Sequence, residues 1–538
     1  MRIDKVYIKK FKNLEEFLID IDESQWENVF LGQNATGKSN FFEALVLIFK
    51  SLDLRVKDRP PFEYDITYTC KNKKINIKSI NGKYEFNALT KFNGIEWNTP
   101  IVLSRNEFER KKDEYLPNHI FIYYSGTSDR MQNVYIEHQR NYYLDIIKPE
   151  AKGTKVNKLR RIFLVQNIHS KFAFLSFFVF DQGKEKTLDF LKNELGITDL
   201  NSLLLVLRKP VWSKVSSDKE MFWSSDGFVR SFLDQLWEFA LAPIYNTENV
   251  PVSYKSSQSQ ERLYLFVQDK KRLSELAKKY YSNSIQLFNA LESIHISDLL
   301  EDVKVRVEKV TAGVKIPFSE MSEGEQQLLT VLGMLRFIKD KESLILLDEP
   351  DTHLNPLWKW KYLEYFREYV GRDETTQVLI NTHDPLVIGG LIKEQIRVFR
   401  SKNVDGKTKV TAEPPDIDPR GLGVAGILTS ELFGLPTTLD APTQDLLDER
   451  NALIYKQSLG ELIEADKIRL RELFLEINSL GFTYTFKDPM YTKFLEGISN
   501  LEEFKIKKLD KEDLKKQNTA ALEILEKLFK KEKDDLHQ

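Results

Sequence analysis

The run Gly32-Gln33-Asn34-Ala35-Thr36-Gly37-Lys38-Ser39-Asn40 fits the pattern G-x-x-x-x-G-K-[ST] at every fixed position. Residues of these types at this spacing can hold a chain of phosphates. The glycines let backbone N–H groups turn inward on phosphate oxygens, Lys38 brings a mobile cation to the β and γ phosphates, and Ser39 offers a hydroxyl to Mg²⁺. A helix beginning near Lys38 adds the positive end of its dipole. The flanking residues supply the required setting. Val29-Phe30-Leu31 reads as a short buried strand, and Phe41, Phe42, Ala44, Leu45, Leu47 and Ile48 give the following helix a broad apolar face.

A second set of polar residues lies some 280 residues on. Met321-Ser322-Glu323-Gly324-Glu325-Gln326-Gln327 leads a helix carrying Leu328, Leu329, Leu332 and Leu335. Taken alone, Ser322 to Glu325 is equally well a capping box. Leu344 to Leu347 is a buried strand that ends in Asp348-Glu349, with Pro350 stopping it. Asp348 stands where a carboxylate would hold Mg²⁺, mostly through water, and Glu349 where a general base would orient water at the γ-phosphate. An acidic pair at a strand end is common for structural reasons; the phosphate loop upstream favours the chemical role. Asp351-Thr352-His353-Leu354-Asn355-Pro356 forms a polar turn, and Gln377 to Ile380 makes another apolar strand, ending in Asn381-Thr382-His383-Asp384-Pro385. A lone histidine at a strand end is more often a structural hydrogen-bonder. His383, however, is the fourth polar element expected at one sheet edge, because a doubly wound sheet presents the carboxyl ends of its strands to the ligand.

These residues need an α/β frame to bring them together. We expect a first lobe over 1–147, with the phosphate loop and a β-meander: strands Lys5 to Lys9, Phe17 to Ile21, Asp65 to Cys70, Lys74 to Ser79 and Tyr84 to Leu89, with Asn81-Gly82 as a hairpin turn and Asn93-Gly94 as another. His119 to Tyr124 reads as a buried strand leading to Ser125-Gly126-Thr127. Residues 148–310 read as a mainly helical insertion, with helices at Phe228 to Leu241 and Lys271 to Leu299 and a loop at Tyr254 to Gln260. A second lobe spans 311–420, ending in a polar linker from Ser401 to Asp418. Residues 421–538 read as a helical partner-docking region, with Leu470, Leu473, Phe474, Ile477 and Leu480 on one helix face, Gly481 as its stop, and a charge-dense tail striped by Leu522, Leu525, Leu528 and Phe529, for which packing against its own body is the default and docking a partner protein the alternative.

Composition sets wider bounds. Of 538 residues, 41% are hydrophobic and 30% charged, which suits a folded chain of two to four structural units. With 79 Lys plus Arg against 81 Asp plus Glu, global charge favours no nucleic-acid or membrane partner, so a DNA contact would need a local patch. The single cysteine, Cys70, excludes an internal disulfide and a multi-cysteine zinc site. Met1 to Lys12 alternates apolar and charged residues unlike a signal peptide, and the most apolar run, Phe172 to Phe180, is too short to span a bilayer. A cytoplasmic location is the expectation.

The order of motifs resembles the ABC-type ATPases, in the soluble branch that includes RecF and the chromosome-maintenance proteins. The resemblance implies an ABC-type head that binds ATP and Mg²⁺, with Ser322, Gly324 and Glu325 as the signature, Asp348 and Glu349 as the Walker B pair, Asp351 to Pro356 as the D-loop, and His383 as the γ-phosphate sensor. Gln132 is the candidate for the Mg²⁺-linked glutamine, with nothing local to fix it. The runs Ser322 to Leu329, Leu347 to Pro356, Ile427 to Leu435 and Asp488-Pro489-Met490-Tyr491 are more narrowly similar to the PtuA family of Septu and retron-associated anti-phage systems. That resemblance implies an ATPase that pairs head to tail with a second copy and works with a separate HNH nuclease; DNA and, where a retron is present, a reverse transcriptase with its RNA/DNA product are further partners. No acidic metal cluster follows His383 in the sequence, which places the cutting in another chain. A RecF-like DNA-repair clamp and, less well, a transporter ATPase subunit are the competing readings.

Overall fold

The structure, a computed structural model, describes residues 1–480, 494, 501 and 516–527, apart from short stretches at 55–58, 93–95, 98–99, 127, 152–158, 181–184, 218, 310–314, 338–341, 371–374 and 405–406. It has two compact units, Met1–Leu435 and Pro436–Gln538.

The first unit is built on a seven-stranded sheet in the order Ile162–Val165, His119–Tyr124, Ser343–Asp348, Gln377–Asn381, Glu27–Gly32, Ile396–Val404 and Lys407–Glu413. Six strands are parallel and the last is an antiparallel edge. The interior strands are apolar throughout because both faces are covered. Phe30, Ile122, Leu346 and Leu379 pack toward the helix Lys38–Leu54 and the meander, whereas Val29, Leu31, Leu347 and Ile380 pack toward the helices Ile168–Phe180 and Glu323–Arg336. Alternate residues of each strand thus enter two separate cores.

The meander is a second, antiparallel sheet in the order Leu14–Asp20, Arg2–Phe11, Tyr64–Cys70, Lys73–Ile80, Lys83–Phe92 and Glu96–Trp97, with Ile101–Leu103 also on Lys83–Phe92. The predicted Asn81-Gly82 turn is present, with φ 47° and 72°. Asn93-Gly94 lies outside the described residues.

The insertion differs from expectation. Among the described residues five α-helices run through it, but it also supplies four strands of a five-stranded antiparallel sheet, Leu241–Ser253, Ser256–Val267, Ile197–Arg208 and Leu300–Lys309, which Lys315–Pro317 completes. Tyr254 to Gln260, read as a loop, is the tip and one arm of the Leu241–Val267 hairpin. That arm's polar Ser and Gln residues are exposed, so no apolar alternation marks it, and Pro243 and Pro251 are tolerated because their strand is an edge. Ile162–Val165 belongs to the central sheet rather than to an insertion. Ser401 to Asp418 is likewise not a linker throughout: it includes most of a hairpin whose Val410 and Ala412 are buried.

In the second unit the helices Ala441–Leu459 and Glu464–Ser479 share a small core of Leu453, Leu470, Leu473 and Ile477. Phe474 and Leu480, expected on that face, are exposed. Residues 516–527 are helical with Leu522 exposed; Gly481, Asp488 to Tyr491, Leu528 and Phe529 lie outside the described residues. The unit begins at Pro436, because Ile427 and Leu432 are buried in the core of the first unit. Among the described residues no helix is long and apolar enough to cross a membrane.

Candidate active site

Three adjacent strands carry the polar residues. In register, Asp348 lies beside Asn381, and Asn381 beside Phe30, so the phosphate loop, the acidic pair and His383 all leave the sheet at one edge. The sequence prediction of a shared edge rests on the same topology.

The loop is held open by its own contacts. Gly32 has φ 149°, and a Cβ there would stand 2.5 Å from the Phe399 carbonyl oxygen. Gly37 has φ 98°, with Leu14 and Asn13 side chains about it. Ala35 adopts φ 64°, and its carbonyl accepts a hydrogen bond from Asn13 Nδ2 at 2.9 Å. Thr36 Oγ1 donates to the Gln33 carbonyl at 2.8 Å. Lys38 Nζ donates to the Gly32 and Gln33 carbonyls at 2.5 and 3.3 Å. Burial pushes its pKa down, while the charges of Glu349 and Asp348 hold it up. A desolvated ammonium inside a ring of carbonyls and N–H groups is suited to polyanionic phosphate.

Asn40 Nδ2 donates to Asn13, and Arg130 donates to Asn40 and, at 2.6 Å, to the buried carboxylate of Glu43. Lys12 reaches Glu43 from the other side at 2.6 Å. Asn13, Glu43 and Arg130 are thus the loop's supports; from sequence, Asn13 shows only as a turn residue, and Glu43 and Arg130 carry no motif.

Asp348 is almost fully buried. Its Oδ1 accepts from Asn381 Nδ2 at 2.9 Å, whereas Oδ2 has no hydrogen-bond partner. Burial pushes its pKa up; Asn381, the Ser39 hydroxyl and the Arg130 charge act the other way. A buried carboxylate oxygen without a donor, close to a serine hydroxyl, fits a hard divalent cation, which Ser39 and Asp348 would hold. Glu349 sits at φ 51°, its N–H bonded to the Asn381 carbonyl at 2.9 Å, and its Oε1 lies 3.0 Å from His383 Nδ1. Both side chains reach solvent. This histidine–carboxylate contact, inferred from sequence only as co-location, is direct.

Beside them, Asp351 is buried with Oδ2 accepting from Thr382 Oγ1 at 3.0 Å and Oδ1 unpartnered; burial pushes its pKa up to about 6. Thr352 Oγ1 donates to the Glu349 carbonyl at 2.8 Å. Gln132 is exposed in the first turn of the helix Arg130–Ile146 and lines a cavity of about 490 Å³ with Ser125, Gln166, Gln327 and His353.

At the signature, the capping box is real. Ser322 Oγ accepts from the Glu325 N–H at 3.2 Å and Glu325 Oε2 accepts from the Ser322 N–H at 2.9 Å. Lys309 holds the other Glu325 oxygen at 2.6 Å. Gly324 is packed against the D-loop, where a Cβ would meet the His353 carbonyl oxygen at 2.6 Å, and the His353 N–H donates to Gln327 Oε1 at 3.0 Å. Signature and D-loop therefore form one surface, with Ser322 and Glu323 exposed on it.

Residues 180–389 match the family model described as "AAA domain, putative AbiEii toxin, Type IV TA system". The chain is 25% identical over 204 residues to the Septu protein PtuA of Bacillus mycoides (strain KBAB4), covering 36% of this chain and 28% of that protein. It is 18% identical over 414 residues to the "Retron Vc95 probable ATPase" of Vibrio cholerae, covering 74% and 73% of the two chains. The match to PtuA thus spans under a third of that relative's length. The SMC head domain from Thermotoga maritima is 14% identical, with a TM-score of 0.31 over 78% of this chain and all of that one. The chain thus has an α/β fold with the motif order of an ABC-type head, and its sequence is similar, over part of its length, to the defence-associated ATPases PtuA and Retron Vc95.

Proposed function

We propose that this chain hydrolyses ATP as the sensor and scaffold subunit of an anti-phage defence complex, and that it pairs head to tail with a second copy to do so. The observation that carries the reading is the meeting of Lys38, Ser39, Asp348, Glu349 and His383 at one sheet edge, with Glu349 in contact with His383. ATP is the substrate, and Ser39 and Asp348 would hold a Mg²⁺ whose charge would offset that of the phosphates. Lys38 and the loop N–H groups bind the β and γ phosphates. Glu349 takes a proton from the attacking water, and His383, on the same carboxylate, orients it and senses the γ position.

Ser322 and its neighbouring N–H groups complete the site of the other copy, since each chain exposes its signature on a surface shared with its own D-loop. Hydrolysis loosens that pairing. The paired state restrains or aligns a separate HNH nuclease of the PtuB kind, and the second unit is where such a partner docks. Its exposed Tyr455, Ile463, Ile468 and Leu475 support that assignment.

Sedimentation of the purified Glu349→Gln chain with and without Mg²⁺-ATP tests the core of this reading: ATP should convert it to a dimer or larger assembly, and Lys38→Ala should stay unpaired. An ATP-independent monomer would refute the assembly role. Metal-dependent DNA cleavage by the chain alone would refute the division of labour, and ATP-dependent DNA loading with no co-purifying nuclease would replace it with a RecF-like clamp.

A further inference from the structure

Asn381 stands where the three polar-bearing strands meet. It pairs with Asp348 on one side and with Phe30, two residues before Gly32, on the other. It is fully buried, and an amide in the middle of a buried parallel sheet is costly unless it is bonded. Its Nδ2 donates to Asp348 Oδ1 at 2.9 Å, and its main-chain carbonyl accepts the Glu349 N–H at 2.9 Å. One residue therefore holds both members of the acidic pair, through different atoms. The amide orientation follows from chemistry, because an ionised carboxylate can only accept. With Oδ1 taken, Asp348 is left with Oδ2, buried and without a partner. The carbonyl contact matters for a second reason: Glu349 occupies the left-handed region at φ 51°, which a non-glycine residue holds only where its surroundings impose it.

We propose that Asn381 is a positioning residue for the metal-binding carboxylate: its amide fixes the rotation of the Asp348 carboxyl, reserving Oδ2 for a divalent cation, while its carbonyl keeps Glu349 turned toward His383. The proposal rests on the nucleotide-binding reading above. An apolar side chain at position 381 cannot hold Asp348 this way, whereas the main-chain contact to Glu349 would persist.

The test uses the full chain with Asn381→Leu, which keeps the branched shape and removes the side-chain donor together with an Oδ1 that has no hydrogen-bond partner. Free Mn²⁺ is followed by electron paramagnetic resonance during titration in the presence of a non-hydrolysable ATP analogue, and binding of the same analogue is measured separately in EDTA. Losing a hydrogen bond to a charged group should weaken Mn²⁺ binding about tenfold or more. Analogue binding without metal should stay within about twofold of the unmodified chain, the range of an unaltered contact set. Asn381→Ser, too short to span to Asp348, should behave the same way and serves if the leucine variant does not fold. Unchanged Mn²⁺ affinity in the variants overturns the proposal, and so does an equal loss of metal-free analogue binding, which would mean a general packing role. If the unmodified chain fails to bind the analogue with or without Mn²⁺, the nucleotide-binding reading falls and the proposal with it.

Discussion

Alanine at Gly324 is the sharpest test of the surface that signature and D-loop share. In a helix with free space around it, glycine to alanine gains up to about 1 kcal/mol from the reduced freedom of the unfolded chain. Position 324 has no such space: the new Cβ would lie 2.6 Å from the His353 carbonyl oxygen and 3.4 Å from its carbon, both backbone atoms. Forcing a methyl into a filled backbone contact costs about 1–3 kcal/mol, so the net effect should be a loss of about 0–2 kcal/mol. The same helix supplies its own control. At Gly333 a Cβ would meet Ala173 Cβ at 3.3 Å and Phe177 Cε2 at 3.6 Å, contacts that a shift of a few tenths of an ångström relieves. Gly333→Ala should therefore range from neutral to a gain of about 1 kcal/mol. Urea unfolding midpoints would measure both. Gly324→Ala should also push His353 off Gln327 and so abolish ATP-dependent pairing in the Glu349→Gln background, which Gly333→Ala should leave intact. If the two variants are equally stable and pair equally well, the close approach of Gly324 to the D-loop is not part of how this surface works.

Lys38→Ala should weaken ATP binding roughly 10- to 100-fold, the worth of lost hydrogen bonds to a charged ligand, as read by isothermal titration. Glu349→Gln should keep ATP binding while slowing hydrolysis about 10²- to 10⁴-fold, the usual yield of a general base, as read by phosphate release. A normal hydrolysis rate would refute the base assignment. Asp351 predicts a pH effect. Its folded pKa of about 6 lies above the ordinary carboxylate value, so the native state binds a proton that the unfolded state has already released. Its contribution to stability is therefore unfavourable above about pH 6 and disappears as pH falls toward 4, a change of about 2–3 kcal/mol at 1.36 kcal/mol per unit. Asp351→Asn, which can still accept from Thr382, should remove that share of the stability decline between pH 4 and 6 in denaturant titrations at each pH. An unchanged slope would refute it.

The parts of the site that sequence made legible are those where chemistry demands particular residue types at short spacing: the phosphate loop, the Asp348-Glu349 strand end and His383. The buried parallel strands were legible too, because interior β-structure is apolar on both faces. What escaped notice is structure whose residues serve surroundings rather than patterns. The hairpin Leu241–Val267 is polar at its far end and exposed, so it reads as loop, and the edge strand Lys407–Glu413 shows only Val410 and Ala412 to a core. In sequence Asn381 shows only as part of a strand end, and Arg130 carries no motif. Each acts through a partner 33 or 90 residues away, respectively Asp348 and Asn40, and a local pattern carries no trace of such a pairing.

The signature shows why a structural and a chemical reading of the same residues need not compete. Ser322 caps its helix, but the box uses one first-turn donor, the Glu325 N–H, and ties the Glu325 carboxylate back to Ser322 and Lys309. Glu323 and Gly324 open the helix at the positive end of its dipole, where first-turn N–H groups have no partner within the helix. Restraining Glu325 with Lys309 also keeps that carboxylate, which would repel an anion, occupied in an ion pair. The exposed Glu323 carboxylate lies 3.1 Å from His353 Nδ1. On the proposed function this helix start, with Glu325 held by Lys309, would meet phosphate brought by a second copy. The capping box thus orders the surface that a second copy's nucleotide would meet, and Ser322→Ala should damage both roles together: about 1 kcal/mol of stability by loss of the cap, and ATP-dependent pairing by loss of the hydroxyl. A variant that loses the stability and still pairs normally on ATP would separate the two roles and leave Ser322 a cap alone.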